Sequence, residues 1–226
     1  MDDYLISKTL LINKPEKWTS FDVVKKIRGL IKKKYNLKKI KVGHAGTLDP
    51  LASGLLVVST GKNTKTIQSL EALDKTYTGV IKLGSVTDSF DRETPEKDHQ
   101  NYKNISTNAI VKVFEQFTGC QKQKPPLFSA VKLNGERLYK KARRGDKDIV
   151  LKERSIIIYH LKILEFNSPF LKFEVQCGKG TYIRSLANDI GQSLGCGAYL
   201  YDLQRTEVGH FKLQDALDIN NIYAAL

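Results

Sequence analysis

From Leu171 to Cys177 apolar and polar residues alternate without exception, with Leu171, Phe173, Val175 and Cys177 on one side and Lys172, Glu174 and Gln176 on the other. Strand side chains point to opposite faces at a period of two, so this segment is a strand with one face buried and one wet. Such a strand is not stable alone; it requires a sheet and apolar cover for its dry face. Helical patterns supply the cover. Ser20 can cap a helix in which Val23, Val24, Ile27, Leu30 and Ile31 follow the helical period, while Lys25, Lys26, Lys32, Lys33 and Lys34 lie mostly off that stripe. A second helix fits Asn108 to Phe117, with Ile110, Val113, Phe114 and Phe117 inward and Gly119 as its stop. Further strand patterns run from Tyr77 to Leu83 and from Ile156 to Phe166. No regular strand-helix-strand repeat joins these pieces, which predicts an α+β domain on a central mixed sheet rather than a doubly wound one. The length of 226 residues and 41% hydrophobic content suit one principal core. Between Pro125 and Glu153 the chain turns lysine- and arginine-rich and reads as a polar lobe inserted in the sheet.

Charge narrows the partners. The chain carries 37 Lys+Arg against 24 Asp+Glu, a formal net charge of +13, which favours a polyanion, with nucleic acid the first candidate. Neither an apolar run long enough to span a bilayer nor a signal-peptide core is visible, so a cytoplasmic location is expected. Cys120, Cys177 and Cys196 are odd in number and widely spaced, unlike a disulfide framework or a structural zinc site. His44, His99, His160 and His210 show no metal-ligand spacing, and no metal is expected. The stretch "STGKNTK" fails as a phosphate loop, because Asn63 follows Gly61-Lys62 and Leu56 stands where the first glycine belongs.

Two segments remain that packing alone does not explain. In "KVGHAGTLDPLASGLLVVSTGKNTK", Lys41 to Lys65, Asp49 is held before Pro50 just ahead of an apolar strand. Asp-Pro is also a common turn dipeptide, and His44 alone reads as readily as a turn or core histidine. In "CGKGTYIRSLANDIG", Cys177 to Gly191, the alternating strand ends in a glycine turn and Thr181 can cap a helix bearing Ile183, Leu186, Ala187, Ile190 and Leu194 on one face. Arg184 then falls in the first helical turn, where the macrodipole disfavours a cation unless an anion partners it.

Five blocks, in order, resemble one family. "GHAGTLDPLASGLL" is similar to the signature of the tRNA pseudouridine-55 synthases, the TruB family. "LLINKPEKWTSFDVV" resembles its opening lysine-proline motif, and "DKTYTGVIKLGSVTDSFD" its lysine-x-tyrosine strand and threonine-aspartate turn. "PPLFSAVKLNGERLYKKARRG" and "GKGTYIRSLANDIGQSLGCGAYLYDLQRT" resemble its RNA-gripping lobe and its tyrosine-isoleucine-arginine helix. Departures are small: Lys17 stands where glycine is usual, and Gln204 where arginine is common. The end at Leu226 leads to the expectation of a single catalytic domain, residues 1–226, with its basic lobe at about 125–153 and without the C-terminal PUA domain that many members carry.

The resemblance implies a pseudouridine synthase fold, with a mainly antiparallel mixed sheet flanked by helices. It implies isomerisation of uridine 55 in the T-loop of tRNA, after the base is flipped from its stack. Asp49 is then the nucleophile and Arg184 its cationic partner, while Tyr77 lies against the target uracil as a candidate base. Tyr182 and Leu203 match pocket positions, and His44 a residue contacting RNA at the flipped site. Asp91 matches a family acid of unassigned role. Lysines and arginines of the lobe and first helix would neutralise T-arm phosphates. No cofactor is implied, and a monomer is expected. The rival reading is a catalytically idle RNA-binding or tRNA-folding protein on the same scaffold.

Overall fold

The computed structural model describes residues 7–129, 131–133, 135–146 and 151–222. Residues 130, 134 and 147–150 of the expected lobe lie outside the described residues. The chain forms two compact units, Met1–Thr78 with Leu203–Leu226, and Gly79–Asp202.

The first unit is built on β3 (Ser53–Thr60), whose residues from Gly54 onward are all buried. Burial on both faces explains why its sequence is an apolar run rather than an alternation. Leu55 and Val57 belong to a cluster with Ala45 and Val208, which Leu70, Leu73 and Phe211 cover. Leu56 and Val58, pointing the other way, are no less buried. On one edge β1 (Thr9–Lys14) pairs antiparallel with β3, and β12 (Leu217–Asp218) pairs parallel with β1. On the other, β10 (Ala198–Val208) runs parallel to β3 through Gln204 and Arg205, and β4 (Lys75–Leu83) lies beside β10. The short strands β2 (Val42–His44) and β11 (Phe211–Lys212) pair with β3 and β10. Helix α1 (Ser20–Lys34) buries Val23, Val24, Ile27 and Ile31, as its period predicts. Its cap differs from the sequence expectation: Thr19 and Asp22 form a reciprocal capping box, which frees the Ser20 hydroxyl for another task. A 3-10 turn, Gly61–Thr66, and α2 (Ile67–Ala72) follow β3.

In the second unit the strand order is β4, β9, β8, β5. The alternating strand is β9 (Phe170–Cys177), and Leu171, Phe173, Val175 and Cys177 are all buried. It pairs antiparallel with β8 (Arg154–Asn167), which pairs antiparallel with β5 (Gly119–Gln123). Helix α3 (Thr107–Phe117) is capped by Ser106 and buries Ile110, Val113 and Phe114. The lobe holds a hairpin of β6 (Lys132–Leu133) and β7 (Glu136–Arg137), then α4 (Leu138–Arg144). Helix α5 (Ile183–Ser193) begins after Tyr182 with no side-chain cap; the Thr181 hydroxyl donates instead to the Gly178 carbonyl, 2.9 Å away. The architecture is α+β, and antiparallel pairing predominates among the described strands.

Candidate active site

Asp49 sits in the loop between β2 and β3, and three separate contacts brace that loop. The Ser20 hydroxyl accepts from the Leu48 amide at 2.9 Å and donates to the Leu48 carbonyl at 3.0 Å, clamping the residue before Asp49 on both sides of its backbone. Arg205, 1% exposed, donates from Nη2 to the Gly46 carbonyl at 3.0 Å and from Nε to the Leu55 carbonyl at 2.7 Å. The Pro50 carbonyl accepts from the Lys17 amide at 2.7 Å and from Lys14 Nζ at 3.5 Å. A turn closes within the loop, where the Ala52 amide donates to the Asp49 carbonyl at 3.1 Å. Lys17 makes its contact with φ of 69°, a conformation in which glycine has no steric penalty; that is a physical reason for glycine at this place in the family.

Lys14 is the unusual member of this group. Its side chain is fully buried, and the ammonium also donates to the Pro15 carbonyl at 2.9 Å and the Trp18 carbonyl at 2.6 Å. Burial lowers its pKa to about 8, against the opposing attraction of Asp49, while Arg205 adds to the lowering. The same attraction places positive charge near Asp49. His44 is half-buried at the end of β2, and its pKa is lowered chiefly by burial, so near neutral pH it is an uncharged ring. Its Nδ1 is buried with no hydrogen-bond partner among the described residues. Tyr77 on β4 and Leu203 on β10 are both 8% exposed. His44, Asp49, Tyr77 and Leu203 therefore all belong to the first unit.

Tyr182, Arg184 and Asp91 belong to the second. Arg184 is buried on the first turn of α5 and donates to the Ser89 carbonyl at 3.1 Å and the Phe128 carbonyl at 3.0 Å. The anion that its position at a helix N-terminus calls for is Asp91, whose Oδ2 lies 3.5 Å from Nη1. Asp91 is itself buried, and its Oδ1 accepts from the Glu93 amide at 2.9 Å. Tyr182 is held by its backbone: the side chain of buried Gln123 accepts from its amide at 2.8 Å and donates to its carbonyl at 3.0 Å. The Arg154 guanidinium lies 5.3 Å from the centre of the Tyr182 ring, within cation–π range. In the lobe, Arg143 pairs with Glu93, and Arg144 pairs with Glu136 and Asp146. These arginines are matched by acids.

Sequence reasoning missed Ser20 as a clamp, and it missed Lys14, Arg205 and Gln123 altogether. The signal for Lys14 was its place in the lysine-proline motif. Arg205 and Gln123 carried no local signal, because they act on residues far away in the chain. Among the described residues, no group of His, Cys, Asp and Glu can hold a metal, and no helix is long and apolar enough to cross a membrane.

Residues 32–183 match the model of the N-terminal domain of TruB family pseudouridylate synthases, and residues 184–226 that of the tRNA pseudouridylate synthase B C-terminal domain. The chain is 48% identical to the tRNA pseudouridine synthase B of Chloroherpeton thalassium, over 94% of this chain and 88% of that protein. It is 44% identical to the protein of the same name from Flavobacterium johnsoniae, over 96% of this chain and 95% of that one. Among solved structures it resembles a chain of a Cbf5-Nop10-Gar1 complex, with a TM-score of 0.72 and 30% identity over 99% of this chain. It spans 56% of that longer chain.

Proposed function

Since the chain belongs to the TruB family of pseudouridylate synthases, we infer that it isomerises a uridine of tRNA to pseudouridine, and we propose Asp49 as its nucleophile. The supporting observation is the bracing of the Asp49 loop at Gly46, Leu48 and Pro50 by side chains from β1, α1 and β10. A turn aspartate needs no such support, whereas a nucleophile reacts fastest when its geometry is set beforehand. The reaction breaks the N-glycosidic bond, turns the base and joins carbon five to the ribose. No electrons leave and no group is transferred, so the stoichiometry calls for no nucleotide or redox cofactor. Attack on the anomeric carbon, attack on the base, and abstraction of a ribose proton each require Asp49 ionised. The Lys14 ammonium, at the end of β1, supplies positive charge near Asp49.

Arg184 is proposed as the cation that partners the reacting carboxylate, with Asp91 and two carbonyls fixing its guanidinium in advance. Tyr77 is proposed to lie against the uracil and to take the proton from carbon five. His44, Tyr182 and Leu203 are each proposed to contact the flipped nucleotide; a neutral imidazole suits contact with a base better than pairing with a phosphate. The preferred target is uridine 55 of the T-loop. The relatives' identity and length favour tRNA as substrate over the assemblies of the longer structural neighbours.

An idle RNA-binding protein on this scaffold has no use for a braced carboxylate or for the intact set of Tyr77, Tyr182 and Arg184. Asp49→Asn separates the readings, since the amide keeps the shape and loses the charge. Single-turnover conversion of tRNA, read by mass spectrometry of its nucleosides, should fall by more than about a thousandfold while affinity stays within about threefold. A variant that keeps a tenth of the rate removes Asp49 as nucleophile, and an inactive wild type favours the idle protein.

A further inference from the structure

Away from the Asp49 loop, the first unit carries an open groove of about 710 Å³. One wall is α1, through Arg28 and Lys32; the second is the segment 38–41, with three lysines; the third is the 3-10 turn after β3, through Lys62 and Lys65. Seven cations line the groove and, among the described residues, no carboxylate does.

The composition does not force this arrangement. The chain has 24 Asp+Glu, and in the lobe they are set against the arginines, with Glu93 on Arg143 and Glu136 and Asp146 on Arg144. A solvated surface intersperses the two signs, while a surface built for a polyanion concentrates one. The walls are also joined. The Arg28 guanidinium donates to the Val42 carbonyl at 3.1 Å, the Gly61 amide donates to the Lys41 carbonyl at 2.9 Å, and Val42 pairs with Thr60 across β2 and β3. The cations thus project from a cross-braced frame, and the repulsion among them is relieved when an anion enters.

Position says which part of the substrate that anion is. β3 starts just after the Asp49 loop and runs eight residues to Thr60, and the groove opens at Gly61. At a rise of about 3.3 Å per residue the two ends are roughly 25 Å apart. Nucleotides in the groove are therefore not those at Asp49. Resting on the reading of the chain as a tRNA pseudouridine synthase, we propose that this groove binds a stretch of RNA sugar-phosphate backbone outside the stem-loop that carries the target uridine. It is a second, sequence-independent anchor for the tRNA.

The test is the quadruple charge reversal Lys38→Glu, Lys39→Glu, Lys62→Glu and Lys65→Glu, at four exposed positions, with folding checked by circular dichroism and melting. Binding of whole tRNA and of an isolated stem-loop containing the target uridine is titrated across salt, and single-turnover rates are measured at saturating RNA. The proposal expects whole-tRNA affinity to fall at least about tenfold and the log-log salt slope to shrink by about one for each phosphate that the groove no longer neutralises. It expects the saturating rate to stay unchanged and the stem-loop affinity to fall less than about threefold. Unchanged tRNA affinity and slope would overturn it. Equal losses for tRNA and stem-loop would overturn it too, by placing the target stem itself in the groove. Because binding is read apart from conversion, a wild type that binds with a steep slope yet converts nothing would reject the isomerase reading and leave the groove standing.

Discussion

Ser20 carries more consequence than its size suggests. Its hydroxyl satisfies both the amide and the carbonyl of Leu48, a buried residue one position before Asp49. Ser20→Ala leaves both groups without that partner, and its cost should be about 1–3 kcal/mol in a denaturant titration. Catalysis should suffer more than binding, because displacement of a reacting group by an ångström costs about a hundredfold. Equal losses in affinity and saturating rate would show that the clamp does not serve Asp49. Lys14 makes a different prediction, about pH. Its folded pKa, about 8, lies below the unfolded value of 10.5, so between those limits the unfolded chain holds more protons at this site. Stability from this group therefore rises with pH through that window; below it, the full penalty of burying the charge is present. The difference in unfolding free energy between wild type and Lys14→Met should grow in favour of wild type from pH 8 to 10.5, on the order of 3 kcal/mol. A flat difference would mean that the buried ammonium titrates normally.

At the scale of elements, β3 and β10 meet more closely than side chains allow. A Cβ on Gly54 would lie 2.3 Å from the Arg205 carbonyl oxygen and 2.8 Å from its amide nitrogen, both backbone atoms that cannot swing aside. Gly54 also has φ of 99°. Gly54→Ala should force the strands apart, lower the melting temperature by more than about 5 °C, and loosen the Arg205 contacts to Gly46 and Leu55. An alanine variant with wild-type melting and activity would contradict this account. This glycine shows where the sequence is opaque. Periodicity is local, so it marked β9, α1 and α3 to within a few residues, because each has one dry face. It misassigned the cap of α1, since Ser20 and Thr19 are equally good cap residues and only the Asp22 partner decides. It could not show the Arg205 to Leu55 bond, which joins positions 150 apart in sequence. Asp49 and Arg184 stood out through their neighbours in the chain, but the residues that hold them did not.

Taken as a whole, the molecule is a polycation whose excess charge is unevenly distributed. The net charge of +13 remains after every acid is counted. If about six phosphates are neutralised on binding, tRNA affinity should fall roughly a thousandfold between 50 and 200 mM salt, measured by fluorescence anisotropy. A shallow slope would mean that shape and base contacts dominate. Removing the arginines of α4 should change that slope less than their number suggests, because Glu93, Glu136 and Asp146 already offset them. The buried lysines add a chemical consequence. Lys14 is fully buried with its amine spent on three carbonyls, and Lys75, 7% exposed, donates to the carbonyls of Glu71 and Leu73. An acylating reagent should mark the exposed lysines within the first moments and reach these two only when the fold opens. Peptide mapping of the label at Lys14 would then act as a clock for the breathing of the Asp49 loop, one that stops when bound RNA holds the loop shut.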